Sequence, residues 1–248
     1  MPATPPSRTA PRQALDLLRE QSLATLAQQE LERRILSGEV RAGDKLNEVD
    51  VATALGISRG PVREAFSALS QAGLVRVEKN RGVFVRQLSL EEASEFYEVR
   101  AALEGLIGQL AARRADAADV EALQAIVARM QAVQATRRAD EYFRLNVEFH
   151  ELLARAAHNQ ALLANYRSVV KQLDLYRRAT ITRVVENMPL STAEHEAIVK
   201  AVAARDEAKA QGLLTEHVLL SRARLTAALA LPAAKRSDKP RPRSSTPA

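Results

Sequence analysis

Four histidines occur in the 248 residues, all in the second half of the chain: His150, His158, His195 and His217. Asn146 and His150 are four positions apart, so on a helix they share one face. Three neutral imidazoles with one oxygen donor suit Zn²⁺ or a similar divalent ion. His150, His195 and His217, with Asn146 as the oxygen, form that set if separate helices bring them together. Their spacing fits ordinary hydrogen-bonded core histidines as well, because no two of the three share a helical repeat. His158, beside Asn159 at a helix end, reads as a capping or surface residue. Hydrolytic motifs break off: His150-Glu151 and His195-Glu196 each start an H-E-x-x-H pattern, but Ala154 and Val199 stand where the second histidine belongs. There is no G-x-S-x-G, no phosphate-cradling glycine loop and no cysteine nucleophile.

A second chemistry lies in Gly56-Ile57-Ser58-Arg59-Gly60-Pro61-Val62-Arg63-Glu64-Ala65-Phe66. Gly56 ends one short helix and Ser58 caps the next, its hydroxyl accepting a first-turn N–H. Pro61 falls in the first turn, where a missing N–H costs little. Val62, Phe66 and Leu69 recur at helical spacing and make the buried stripe. Arg59 and Arg63 then share an exposed face, and guanidinium forks near a helix N-terminus fit guanine edges or phosphates in a major groove. Between Ser58 and Arg86, six basic residues (Arg59, Arg63, Arg76, Lys79, Arg81 and Arg86) stand against Glu64 and Glu78. Such an excess is a phosphate footprint or a solvated basic face, and its placement on a turn-helix pattern favours the footprint.

The elements that must position these residues are mainly helical. Hydrophobic residues make up 46% of the chain but aromatics only 4%, and the abundance of alanine and leucine suits helices. Residues 1–22, rich in Pro, Ser, Thr and Arg, read as a disordered leader. Leu23 to Ser37 carries a helical stripe stopped by Gly38, Val40 to Leu46 is a turn into a short extended piece, and Asn47 to Leu55 is a helix. Leu74–Glu78 and Val83–Arg86 alternate like strands around Lys79-Asn80-Arg81-Gly82, with Gly82 giving the turn its positive φ. Residues 23–88 thus form a winged helix-turn-helix, whose hairpin tip brings Lys79, Arg81 and Gly82 towards a minor groove or backbone. After the linker Gln87-Leu88, residues 89–231 read as six helices in an antiparallel bundle. Ser89-x-x-Glu92 and Ser191-x-x-Glu194 serve as capping boxes and Asp116, Asp140 and Asp206 as further caps. Residues 232–248 are a disordered basic tail. The net charge of +6, the zero cysteines and the lack of a long apolar run fit a cytoplasmic protein with no membrane span.

The first half resembles the GntR family of bacterial transcription regulators. The resemblance rests on Ile35-Leu36-Ser37-Gly38, Gly43-Asp44-Lys45-Leu46-Asn47-Glu48, Leu55 through Ala65, Gly73-Leu74-Val75 and Arg81-Gly82-Val83-Phe84-Val85. The second half resembles the FCD ligand-binding domain of the FadR subfamily, through Arg100-x-x-Leu103-Glu104, Asn146-x-x-Phe149-His150, Asn159, Glu194-His195-x-x-Ile198 and His217.

That resemblance implies a homodimeric repressor on a short palindromic operator of double-stranded DNA. Ser58, Arg59 and Arg63 are its groove contacts, and the wing at Gly82 approaches the minor groove. It implies a divalent metal, Zn²⁺ with Ni²⁺ or Mn²⁺ as alternatives, held by His150, His195 and His217. Asn146 stands where the family has an aspartate, so one ligand loses its charge. A small organic acid effector enters the same cavity, and Arg100 is its candidate anchor through a bidentate fork. An ion pair of Arg100 with Glu104 is the alternative. Gly60 replaces a frequent threonine and Val49 an occasional arginine, each removing a DNA contact. The other readings are a metal-dependent enzyme joined to a DNA-binding module and a metal-structured dimerisation domain without effector.

Overall fold

The computed structural model describes residues 10–136, 138–177 and 187–230. The expected tail, 232–248, lies outside them. The first half comprises α1 (Ala10–Ser37), β1 (Lys45–Leu46), α2 (Glu48–Leu55), α3 (Arg59–Gln71), β2 (Val75–Glu78) and β3 (Gly82–Val85). The stripe on α3 is buried as its spacing requires, with Val62, Phe66 and Leu69 sealed among Leu31, Ile35, Leu74 and Val85. Each such side chain contributes roughly 1.5–3 kcal/mol by leaving water. The α1 stripe, expected from spacing at Leu23, Leu26, Leu31, Ile35 and Leu36, runs instead through Ala24, Ala27, Leu31 and Ile35, which are buried, whereas Leu26 is exposed.

The short extended piece at Lys45–Leu46 becomes the third strand of a sheet ordered β1-β3-β2, antiparallel throughout. Register pairs Glu78 with Gly82. Asn80 (φ 62°) and Gly82 (φ 112°) both take positive φ, so the glycine shares the turn's left-handed geometry with an asparagine that tolerates it.

Two local expectations are corrected here. Ser58 occupies the N-cap of α3 with extended backbone but makes no side-chain cap bond. The third helical residue is Pro61, so the N–H that a capping serine usually reaches does not exist. The other correction concerns the leader: α1 starts at Ala10, well inside the stretch expected to be disordered. Gln13-Ala14-Leu15 through Glu20 is a run of good helix formers, and it outweighs the Pro- and Ser-rich residues ahead of it.

The second half holds α4 (Leu90–Arg114), α5 (Ala117–Thr136), α6 (Ala139–Ala156), α7 (Gln160–Arg177), α8 (Met188–Ala203) and α9 (Glu207–Ala230). The Ser89–Glu92 capping box is formed in both directions. The Ser191–Glu194 box is not, because α8 begins at Met188 with Pro189 in its first turn. Ser191 is therefore already inside the helix and buried, and Glu194 is free for another task. Asp206 caps α9 by accepting from Lys209 N–H at 3.1 Å, whereas Asp140 lies in the first turn of α6 after N-cap Arg138.

The bundle and the winged half meet at Arg86, just beyond β3. It donates to Gln172 of α7 at 3.0 Å, pairs with Glu92 of α4 at 2.7 Å and lies over the Phe96 ring. Lys171 reaches Glu32 of α1 at 2.7 Å.

Helices α4 and α9 pack along most of their length, and glycine on α4 permits it. A Cβ on Gly108 would stand 2.6 Å from the Ala210 carbonyl oxygen, and one on Gly105 would strike Thr215. The Ala210 obstacle is backbone, which cannot rotate aside. Gly108→Ala is expected to destabilise the fold by about 1–3 kcal/mol through overpacking, read as a lower denaturant midpoint; an unchanged midpoint would show that the helices can part freely.

Candidate metal centre and nucleic-acid interface

Helices α6, α8 and α9 bring His150, His195 and His217 to one point inside the bundle. All three are buried, and their ligand nitrogens lie within 4.8 Å of one another. His195 Nε2 is 3.2 Å from His217 Nε2, which is 3.3 Å from His150 Nε2. Tetrahedral ligands with Zn–N bonds of about 2.0–2.1 Å stand roughly 3.3 Å apart, so both contacts match the edge of such a site.

The outer nitrogens explain which lone pairs face inward. His150 Nδ1 is 2.6 Å from Glu104 Oε2, and His217 Nδ1 is 2.6 Å from Glu194 Oε2. The His150 contact is close but bent away from hydrogen-bond geometry. Burial opposes the charge on Glu104, yet Arg100 and then His150 outweigh it and hold the carboxyl down to about 2. Burial likewise opposes Glu194, and Arg224 with His217 brings it to about 2. An ionised carboxylate only accepts, so each neutral partner imidazole carries its proton on Nδ1 and presents a bare Nε2. In that tautomer the two Nε2 atoms that face each other at 3.3 Å, His217 and His150, are the nitrogens with ligand lone pairs. Burial also pushes His150 down to about 4 and His195 well below its usual value. Both are thus neutral near pH 7, the form that ligates.

His195 differs from the other two. Its Nδ1 is buried with no hydrogen-bond partner, and its ring lies against Phe149 at 4.2 Å between centroids. Asn146 is buried on α6 one turn before His150.

Of the two roles that the sequence left open for Arg100, the ion pair with Glu104 is formed. Arg100 Nε is 2.5 Å from Glu104 Oε1, a pair within α4. Its Nη1 is nonetheless buried without a hydrogen-bond partner. Burial works against the guanidinium charge, but Glu104 more than compensates and Arg100 stays protonated. One carboxylate, Glu104, therefore serves an arginine with one oxygen and a histidine with the other.

Sequence reasoning missed the outer carboxylates and Arg224. Arg224 forks onto Glu194 with two bonds of 2.7 Å. The available signals were Glu194 directly before His195, and Arg224 seven residues after His217 on the same helical face. His158 fulfils its reading as a surface residue, bound to Asp119 at 2.9 Å. Asp116 and Asp119 cluster with it, but their carboxylates accept each other's backbone N–H at the start of α5.

On the winged half, α3 exposes Ser58, Arg59 and Arg63 along one side. Arg63 Nε is paired with Glu48 of α2 at 2.8 Å, whereas Arg59 has no ion pair among the described residues. In the wing, Glu78 holds both Arg76 and Arg81, the latter at 2.6 Å. Arg76, Arg81 and Lys45 each lie over the Phe84 ring at 5.5–5.9 Å. Lys79 is exposed at the tip. A Cβ on Gly60 would meet the Ser58 hydroxyl at 4.0 Å, and Val49 is 53% exposed.

Comparison with known proteins places these features. Residues 25–85 match the family described as "Bacterial regulatory proteins, gntR family", and residues 95–220 match the FCD domain. The "Nta operon transcriptional regulator" of Aminobacter aminovorans is 30% identical over 178 residues, covering 72% of this chain and 82% of the relative. The "Probable D-xylose utilization operon transcriptional repressor" of Paenarthrobacter nicotinovorans is 31% identical over 186 residues, covering 74% and 80%. Among solved structures, a putative GntR transcriptional regulator from Rhodococcus sp. RHA1 aligns with TM-score 0.69 and 27% identity. It covers 84% of this chain and 99% of that one.

The buried charges yield a prediction independent of any ligand. Arg100→Met strands Glu104 and is expected to cost about 3–5 kcal/mol, while Arg100→Met with Glu104→Gln recovers much of it. Urea unfolding of both variants checks this; equal losses in the single and double variants would contradict it.

Proposed function

The chain belongs to the gntR family of bacterial regulatory proteins, and from that premise we propose how this DNA-binding transcription regulator is controlled. A divalent cation sits among His150, His195 and His217, and a small organic acid binds beside it. The observation that carries this reading is the convergence of three buried imidazole nitrogens, two of them aimed by carboxylates. Zn²⁺ is the ion whose tetrahedral spacing fits; Ni²⁺ and Mn²⁺ are the alternatives that elemental analysis separates. Asn146 adds a neutral oxygen where an aspartate would bring charge. When bound, the cation supplies positive charge that draws an anionic effector. Arg100 contributes the unpartnered Nη1 as a second anchor for a carboxylate, and that unsatisfied nitrogen favours an effector site over a purely structural metal.

The regulator acts in the cytoplasm as a homodimer on a palindromic operator, with residues 23–88 as the DNA-binding unit and 89–231 as the effector and dimerisation unit. No helix among the described residues is long and apolar enough to cross a membrane. Val99 and Leu106, two turns apart on α4, expose apolar side chains that suit a second copy. Ser58, Arg59 and Arg63 meet the major groove, and Lys79, Arg81 and Gly82 bring the wing to the backbone. The effector acts through its different affinity for the DNA-bound and free arrangements of the dimer. Relatives named as repressors support repression as the sense of control.

Arg59→Ala is expected to weaken binding to an operator selected from random-sequence DNA by about 5- to 150-fold, in line with roughly 1–3 kcal/mol for one good base contact. Wild-type affinity in a gel shift would remove Arg59 from the interface. His195→Ala should lower the metal-to-protein ratio of purified protein, and an unchanged ratio would rule out the site.

A further inference from the structure

Glu194 of α8 is held by two residues of α9 at once. Arg224 of α9 donates Nη1–H to Oε1 and Nη2–H to Oε2, both at 2.7 Å, and His217 Nδ1 meets the same Oε2 at 2.6 Å. The carboxylate thus has no rotational freedom left. Arg224 follows His217 by seven residues, and Glu194 sits on α8 directly before His195. A ligand on α9 is therefore aimed by a carboxylate on α8, which is itself aimed by an arginine from α9.

The order arginine–carboxylate–imidazole also appears in Arg100, Glu104 and His150, but there every member is sealed in the core. The Arg224 and Glu194 side chains are 19% and 22% exposed, against 2% and 1% for Arg100 and Glu104. They form the rim of the cluster, so either can be replaced without stranding a fully buried charge.

We propose that Glu194 and Arg224 are positioning residues for the metal centre, a role that rests on the reading of the three histidines as its ligands. An unconstrained imidazole carries its proton on either nitrogen, and only the Nδ1–H form offers Nε2 to a cation. Glu194 selects that form at His217. Arg224 keeps Glu194 from turning to water at the rim. Because the fork and the histidine both come from α9, occupation of the centre fastens the second half of α9 to α8. That same stretch carries Arg222, which bonds Ser94 at 3.3 Å and Glu98 at 3.1 Å on α4.

The test uses the full chain as wild type, Arg224→Met, Arg224→Lys and Glu194→Ala. Zn²⁺ affinity is measured by competition with a chromophoric chelator, and the His217 tautomer by ¹⁵N spectra of the metal-free protein. Loss of an outer partner typically costs 10–100-fold in metal affinity. Glu194→Ala is expected in that range and Arg224→Met at about tenfold, with Arg224→Lys regaining part of the loss. In wild type His217 should be a single Nδ1–H tautomer, and in Glu194→Ala a mixture. Equal Zn²⁺ affinity in wild type and variants, or an unchanged His217 tautomer in Glu194→Ala, overturns the positioning role. Wild type that takes up no Zn²⁺ while its His217 tautomer still responds to Glu194→Ala overturns the metal reading instead.

Discussion

Two imidazole nitrogens that both carry lone pairs in their neutral forms face each other across 3.3 Å inside the bundle, His217 against His150. The contact persists because each ring is locked from behind by a carboxylate, and each carboxylate is in turn held by an arginine. Burying the Glu104 charge without its partner would be costly. The arrangement places three imidazoles at its centre and ion pairs around the edge.

The helix packing serves the same end. His217 and Arg224 reach their places only because α9 lies close to α4, and that approach needs the bare backbone at Gly108. Further along, α4 carries Arg100 and Glu104 into the cluster, and its first two turns carry Glu92 and Phe96 to the Arg86 junction. One rigid helix thus touches both the buried site and the end of the wing, and α7 joins the same junction through Gln172.

Much of this was legible in the chain. Ser89 and Glu92 announce a helix start by local chemistry alone, and Val62, Phe66 and Leu69 declare their buried face by spacing, so both were read correctly. The histidines could be named but not assembled, since nothing local states which way α6, α8 and α9 face one another. Ser191 and Glu194 misled for the same reason: their pattern is that of a cap, but Pro189 is tolerated inside the first turn, and Glu194 answers to a partner thirty residues away. Ser58 failed as a cap for a reason present in the sequence, the proline three positions on. Glu104 shows the limit from the other side. Its pairing with Arg100 was open to inference at one helical turn, whereas its second oxygen serves a residue that only the tertiary fold brings near.

The wing and recognition helix hold most of their arginines in ion pairs before any partner arrives: Arg63 on Glu48, and Arg76 with Arg81 on Glu78. For the operator-reading role proposed for these elements, this alters the ionic bookkeeping of association. A phosphate that recruits one of them displaces a carboxylate already seated there, and the freed carboxylate gathers cations that offset those released from the DNA. In that proposed role, Arg59 and Lys79 bring unspent charge to DNA. The salt dependence of binding therefore reports on these two residues far more than on the number of cations displayed, and the paired arginines are left to govern orientation.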